Sequence, residues 1–391
     1  MGKKIEKIIS INSKILAGSF GKGKYFGYKK KKLISIVEIK AENNLIGYGE
    51  SLVGTYSPSL YELNLNYLKK FFLKKNFYES LKVIKDLQTN KFFYNSGVLK
   101  SILASIEVAI INLIAFKKKE FLAQSINRIY CSSRFKIKNF IKVYSSAGSI
   151  RSNLNDLNKD INKSLFLGID IIKIRLDTSK DYKKKILLLN NKNIRFSIDL
   201  ISNTFEKNRN QKNLTNFLNY IKFNKPLWIE EILNVNDLHF FFKIKKELKK
   251  INFSYGENFN SFFDFCNLAK FYKFEYLNID VCHVTIFEII EIIKFIKKEK
   301  LKTKIILHCW GGIINLHTSL ELASIFNKEI AMVELPIVDF TLNNNYIKNI
   351  KILDSNVDLS SVDRKNINKY YQNQMKKKLI KNLKKYEFNF K

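Results

Sequence analysis

The pattern of apolar and polar positions changes character near residue 140. Upstream, KKLISIVEIKAENNLIGYGES (31–51) holds two apolar runs around the turn signal Glu42-Asn43-Asn44, which predicts two strands. LNLNYLKKFFLKK, YESLKVIKDLQ and GVLKSILASIEVAIINLIAF follow, with apolar residues at helical spacing. This part reads as a small α+β unit. Downstream, short apolar runs alternate with amphipathic segments such as SNLNDLNKDINKSLF and VTIFEIIEIIKFIKKEK. The runs are IKVYSSAG (141–148), DIIKIRLD (170–177), RFSIDL (195–200), PLWIEE (226–231), INFSYGE (251–257), EYLNIDV (275–281), KIILHCW (304–310) and AMVELP (331–336). Alternation of this kind predicts a parallel sheet, and eight such runs predict a (β/α)8-type, modified TIM barrel. The expected fold class is therefore α/β. An α+β capping domain is expected over 1–130 and the barrel over 131–345. A C-terminal segment, 346–391, is expected to pack back on the cap, ending in KKKLIKNLKKYEFNF.

Composition changes this picture little. The 391-residue chain carries a formal net charge of +34, which raises the question of a nucleic-acid partner. The lysines, however, are spread along outer helix faces, as in DYKKKILLL, and no zinc spacing, basic zipper or RNA-recognition signature accompanies them. A solvated surface and no specific nucleic-acid partner is the expectation. Cys131, Cys266, Cys282 and Cys309 lack CxxC spacing, which fits a reducing compartment. The N-terminal MGKKIEKIISINSKILAGSF is broken by Asn12, Ser13 and Lys14, a poor signal peptide. The longest apolar run, 102–116, is shorter than the roughly 20 residues of a spanning helix and contains Glu107. A cytoplasmic protein without a membrane partner is expected.

Barrel chemistry sits at the C-terminal ends of the strands. In order, those ends present Lys173 and Arg175; Asp199; Glu230 and Glu231; Glu257 and Asn258; Asp280, with His283 beyond; His308; and Glu334. Singly, each has a bland reading as a helix cap, a surface charge or a structural histidine. Together they converge on one mouth. Carboxylates from three consecutive strands repel one another unless something compensates them. A hard divalent cation does so, and oxygen-only ligation suits Mg²⁺. Asp199, Glu230 and Glu257 are the expected metal ligands. His308 titrates near neutrality and can exchange a proton. Asp280, on the preceding strand, can orient it. Lys173 and Arg175 bring positive charge to a developing oxyanion.

The motifs WIEE (228–231), YGEN (255–258), NID (278–280) and LHCW (307–310), in this order, resemble the enolase superfamily, and within it the mandelate racemase-like subgroup. GYGES in the first unit and SSAG at the first barrel strand fit the same resemblance, which covers nearly the whole chain. It implies Mg²⁺-dependent removal of the α-proton of a small-molecule carboxylate through an enediolate. Asp199, Glu230 and Glu257 match the metal ligands, and Asp280 with His308 the catalytic dyad. Glu334 matches a carboxylic acid that hydrogen-bonds the enediolate. Asp280 also separates the chain from relatives that carry a catalytic lysine at that place. There are departures. The second-strand pair is usually Lys-x-Lys, and here the second member is Arg175. Ile201 stands where Asn is common, Ile232 where proline is expected, and HVTIF replaces a Gly-Gly after the sixth strand.

A guanidinium stays protonated, so one base, His308, remains. Inverting a carbon needs proton exchange on both faces, whereas elimination needs one base. The expected activity is dehydration of an acid sugar, an aldonate or aldarate. The alternatives are racemization or epimerization of a 2-hydroxy or amino acid derivative, and a catalytically silent binding protein. The segments 17–28 and 54–59 are expected to contact the distal part of the substrate. Association into a homo-oligomer is expected by analogy with such barrels.

Overall fold

The computed structural model describes residues 6–378 apart from short internal stretches (26–27, 91–92, 94–95, 133–134, 150–151, 178–180, 202–210, 233–237, 338–341 and 365–366). Most of KKKLIKNLKKYEFNF lies outside the described residues. The first unit is an antiparallel sheet, β1 (Ile8–Tyr25), β2 (Tyr28–Ala41) and β3 (Ile46–Ser51), in that order. The turn Glu42–Asn44 joins β2 to β3, as the ENN signal indicates. β1 goes beyond the expected pair of strands. It starts in the segment weighed above as a signal peptide, and Ile8, Ile11, Ile15 and Leu16 are buried along it.

The sheet packs on the helix Gly97–Lys118, which is buried nearly all round. That helix is capped by Ser96 at its start and by Lys119, in the left-handed region, at its end. It is long and apolar enough to cross a membrane, but 89% of its apolar window is buried inside the fold, so it serves as the core helix of this unit. Gly47 and Gly49 explain how closely β3 approaches it. A Cβ at Gly49 would lie 1.7 Å from the Ser105 carbonyl oxygen, and one at Gly47 2.2 Å from that of Ala109. Side chains on a strand alternate in direction, so the glycines face the helix while Tyr48 and Glu50 face away from it.

The eight runs form β4 (Phe140–Ala147), β5 (Ile171–Arg175), β6 (Arg195–Asp199), β7 (Trp228–Glu230), β8 (Asn252–Tyr255), β9 (Tyr276–Asp280), β10 (Lys304–His308) and β11 (Ile330–Pro336). They pair in parallel in chain order, and β11 closes on β4. This is a closed (β/α)8-type barrel preceded in the chain by an antiparallel-sheet unit. The barrel floor is apolar: Tyr144, Ile171, Trp228, Ile306 and Met332 form a separate buried cluster, with Tyr144 edge-on to Trp228 at 5.2 Å. The polar strand ends lie above that floor.

The tail divides between the two parts. β12 (Lys351–Leu353) and β13 (Asn356–Asp358) form a hairpin that adds antiparallel to β4, so it joins the barrel sheet rather than the cap. The helix Ile367–Lys378 touches the cap through Asn368, which donates to the Ile46 carbonyl at 3.2 Å. It also touches the barrel, where the Ile314 amide donates to the Tyr371 hydroxyl.

Candidate active site

Strand register brings the expected residues together. Arg175 pairs with Asp199 across β5 and β6, Asp199 with Glu230 across β6 and β7, and Asp280 with His308 across β9 and β10. Most of these side chains are buried, while Glu257 and Arg175 are partly exposed. Lys173, Glu230 and Glu334 are completely buried, and Asp199, Asp280 and His308 are at most 7% exposed.

Each of the three expected metal ligands faces a cationic side chain. The Lys173 ammonium donates to Glu230 Oε1 at 2.6 Å and lies 3.6 Å from Glu334 Oε1. Arg175 Nε is 3.3 Å from Asp199 Oδ2, its Nη1 donates to the Gly148 carbonyl at 3.2 Å, and the guanidinium lies 5.2 Å from the Trp310 ring centre. His308 Nε2 is 3.3 Å from Glu257 Oε2 and 3.7 Å from Glu334 Oε2. Its Nδ1 is 2.7 Å from Asp280 Oδ2. An ionised carboxylate only accepts, so Nδ1 carries the proton and Nε2 is the atom turned to the mouth.

The electrostatics follow from burial and crowding. Burial raises the Glu230 carboxyl to about 7; Lys173 opposes this, while Asp199, Glu257 and Glu334 add to it. Burial likewise raises Glu257, with His308 opposing. Burial alone would lower Lys173, but Glu230 and Glu334 reverse that and hold it well above the usual lysine range. His308 also resists burial: Glu257, Glu334 and Asp280 bring it up to about 10. Burial would raise Glu334, yet Lys173, His308 and Arg175 bring it down to about 2. Glu334 is therefore a carboxylate here, accepting from Tyr144 and from the Cys309 amide, each at 3.3 Å. Its three cationic neighbours are the cause.

A divalent cation fits this donor set on charge. The eight expected residues comprise five carboxylates (Asp199, Glu230, Glu257, Asp280, Glu334) against three cations (Lys173, Arg175 and protonated His308), an excess of two negative charges. Among the described residues no group of three acidic, histidine or cysteine side chains is arranged to hold a metal ion; Asp199, Glu230 and Glu257 are each turned to a cation instead. Asp199, Glu230 and Glu257 are the residues that would hold Mg²⁺. Glu231, next to Glu230, is engaged by the Asn258 amide at 2.8 Å.

Both segments expected to contact the substrate belong to the first unit. Residues 17–28 are the end of the β1–β2 hairpin, with 26–27 outside the described residues. Residues 54–59 begin two helices and are tied to β2: the Gly54 amide donates to Ser35 Oγ at 3.1 Å and Thr55 Oγ1 to the Leu33 carbonyl at 2.9 Å.

The cap also supplies groups that strand-end reasoning passed over. Glu50 Oε1 accepts from the Gly312 amide and Oε2 from the Asn315 amide at 3.2 Å, at the start of the helix Ile313–Ile325. Burial raises Glu50 to about 7 despite these bonds. Lys32, on β2, donates to the Trp310 carbonyl and lies 4.1 Å from its ring centre; burial lowers it to about 8. The available signal was the alternation Gly-Tyr-Gly-Glu, in which the glycines take one face and the acid is sent to the other. Glu107 reaches the barrel too, accepting from the Ile286 amide at 2.6 Å and the Phe287 amide at 3.1 Å. The segment in place of the missing Gly-Gly is thus held by the cap helix.

No family profile matches the chain, and no curated protein matches it by sequence. Solved structures do match over nearly its whole length. The 3,6-anhydro-D-galactonate cycloisomerase from Zobellia galactanivorans superposes with a TM-score of 0.75 at 16% identity, covering 96% of this chain and 100% of that one. An enolase superfamily member from Agrobacterium tumefaciens gives 0.73 at 14% identity, over 90% and 94%. L-talarate dehydratase from Polaromonas sp. JS666, complexed with Mg and L-glucarate, gives 0.69 at 15% identity, over 90% and 92%. At such identities the likeness establishes the fold, which is that of the enolase superfamily.

Proposed function

We propose, with the enolase-superfamily fold as premise, that this chain is a Mg²⁺-dependent enzyme that removes the α-proton of a carboxylate substrate and that it dehydrates an acid sugar. The observation that carries this is the count of bases. Lys173 is locked between Glu230 and Glu334 and stays charged, Arg175 cannot deprotonate, and among the described residues expected at the site only His308 presents a titratable nitrogen to the mouth. One base serves elimination, in which the proton taken from one carbon can leave with the hydroxide from the next.

Mg²⁺ held by Asp199, Glu230 and Glu257 would supply positive charge at the substrate carboxylate and so acidify the adjacent C–H. His308 Nε2 takes that proton, and Asp280 stabilises the imidazolium at Nδ1. Lys173 and Arg175 keep the negative charge of the enediolate compensated. The β-hydroxyl departs with the proton from His308 as water, and the enol formed rearranges to a 2-keto-3-deoxy acid. Nε2 now faces Glu257 at 3.3 Å, so His308 can act as a base only when Glu257 is engaged elsewhere, as a metal ligand is.

The test is a panel of aldonic and aldaric acids, with anhydro-aldonates included because a cycloisomerase shares the fold. Keto-acid formation that needs Mg²⁺ and is lost in His308→Asn supports the reading. Inversion with deuterium uptake in D₂O, and no loss of water, would indicate a racemase or epimerase. Neither keto acid nor deuterium exchange with any acid would refute proton abstraction and leave a binding protein.

A further inference from the structure

We infer that Asn315 positions the Asp280–His308 pair, and that the cap, through Glu50, seats Asn315. This rests on the reading of His308 as the base.

The connection is continuous. Glu50, on β3, holds the first turn of the helix Ile313–Ile325 by accepting from the Gly312 and Asn315 amides. The Asn315 side chain, completely buried, then donates from Nδ2 to Asp280 Oδ1 at 2.9 Å. The same oxygen accepts from the Cys282 amide at 2.7 Å. Two donors on Oδ1 fix the carboxylate plane and leave Oδ2 for His308 Nδ1 at 2.7 Å. The amide orientation follows from its neighbours: an ionised Asp280 accepts only, so the NH₂ faces it, while Asn315 Oδ1 receives the Ser319 hydroxyl at 3.4 Å. With Nδ1 held in this way, the imidazole cannot flip and Nε2 stays toward the mouth.

The local sequence makes room for the connection. A Cβ on Gly311 would lie 2.4 Å from Glu50 Oε1 and 2.8 Å from Asn315 Cβ. A Cβ on Gly312 would lie 2.5 Å from Ile34 Cδ1 and 3.1 Å from Glu50 Oε2. Trp310-Gly311-Gly312 thus admits the cap carboxylate to the start of the helix that follows the base in sequence. Leucine at 315 would fill the same space without a donor, and the Asp280 carboxylate would then be held on Oδ1 by the Cys282 amide alone.

The readout is the His308 Nδ1–H signal of ¹⁵N-histidine-labelled protein at neutral pH without metal. The chain has four histidines, and His308→Asn assigns the line. Held by Asp280, this proton is expected far downfield and slow to exchange with water. In Asn315→Leu it moves upfield and exchanges faster. If that variant does not fold, Asn315→Ser, which is too short to reach Asp280, gives the same result. On whichever acid the parent enzyme turns over, kcat falls about 10- to 100-fold with KM nearly unchanged. An unchanged His308 signal in the Asn315 variants overturns the inference. A parental signal in Glu50→Leu overturns the role of the cap. Since the resonance is read without substrate, failure of every acid in the panel would refute the proposed function and leave this result standing.

Discussion

Lys173→Met isolates the largest electrostatic commitment in the barrel mouth. The methionine matches the stem of the lysine and removes its charge, so two buried carboxylates, Glu230 and Glu334, lose their shared cation. The lowering of Glu334 from 4.5 to about 2 is worth about 3 kcal/mol at neutral pH. Lys173 is the foremost of the three cations responsible, ahead of His308 and Arg175. Removing one partner of a buried pair costs about 3–5 kcal/mol in measured cases. The buried-pair range, at its lower end because His308 and Arg175 still face Glu334, puts the loss at about 3 kcal/mol, or roughly 4 °C in melting temperature if the chain unfolds as one unit. The pH dependence gives the sharper check. The folded-state pKa of Glu334 is depressed, so its contribution is present above 4.5 and is lost as pH falls through about 2. The deficit of Lys173→Met should therefore be full at pH 7.5 and shrink steadily below pH 4.5. Urea unfolding of both proteins across that range measures it. A variant as stable as the parent at pH 7.5, or a deficit that grows on acidification, would refute the ion-pair account.

Three further outcomes follow from the same structure. Burial raises Glu107 from 4.5 to about 7, so its contribution is greatest below 4.5 and is lost as pH rises through about 7; in Glu107→Gln, melting temperature should change less than in the parent between pH 5 and 8. Gly49→Ala would set a Cβ against the backbone oxygen of Ser105; a loss of at least about 2 kcal/mol in urea unfolding is expected, since strand and helix must separate, and a neutral result would show that β3 does not lie so close. Arg175→Lys supplies a group that can lose its proton but shortens the reach to Gly148 and Trp310; with a dehydrated acid as substrate, deuterium exchange on the face opposite His308 is expected to appear, and NMR of the recovered substrate in D₂O measures it.

What could be read from the chain, and what could not, divides by range. The barrel strands were legible because each is a short apolar run bounded by turns, and their ends because parallel strands in chain order align by themselves. Arg175, Asp199 and Glu230 need only neighbouring registers to meet. β1 was hidden because Asn12, Ser13 and Lys14 interrupt its apolar side while Ile11 and Ile15 hold the core, and a register irregularity between Ile8 and Ser10 breaks strict alternation. The hairpin β12–β13 was hidden because strands of three residues carry no period. Glu50 and Asn315 are 265 positions apart, and no local pattern announces that a carboxylate in one unit caps a helix in another. The charge of Glu334 lies beyond the sequence for a related reason. Its protonation depends on which cations face it, and that is a property of the closed barrel.

The two cations on β5 show how one substitution can narrow chemistry without disturbing a site. Lys173 and Arg175 are two residues apart and point the same way, yet they serve different groups. Lys173 lies between Glu230 and Glu334. Arg175 spans Asp199, the Gly148 carbonyl and the face of Trp310, which Lys32 also approaches from the cap. A lysine at 175 has one nitrogen and could satisfy only part of that set; the fork of a guanidinium reaches all of it. The arginine therefore fits the packing between barrel and cap as well as the electrostatics. The same fit removes proton exchange from that side of the mouth, because a guanidinium held by Asp199 under an indole has no neutral form to offer. The proposed mechanism leaves proton transfer to His308, which Asp280 holds from one strand while Asn315, on the helix that the cap holds, donates to Asp280. On that reading both protons of the reaction are handled at one nitrogen, and elimination is the chemistry that asks no more.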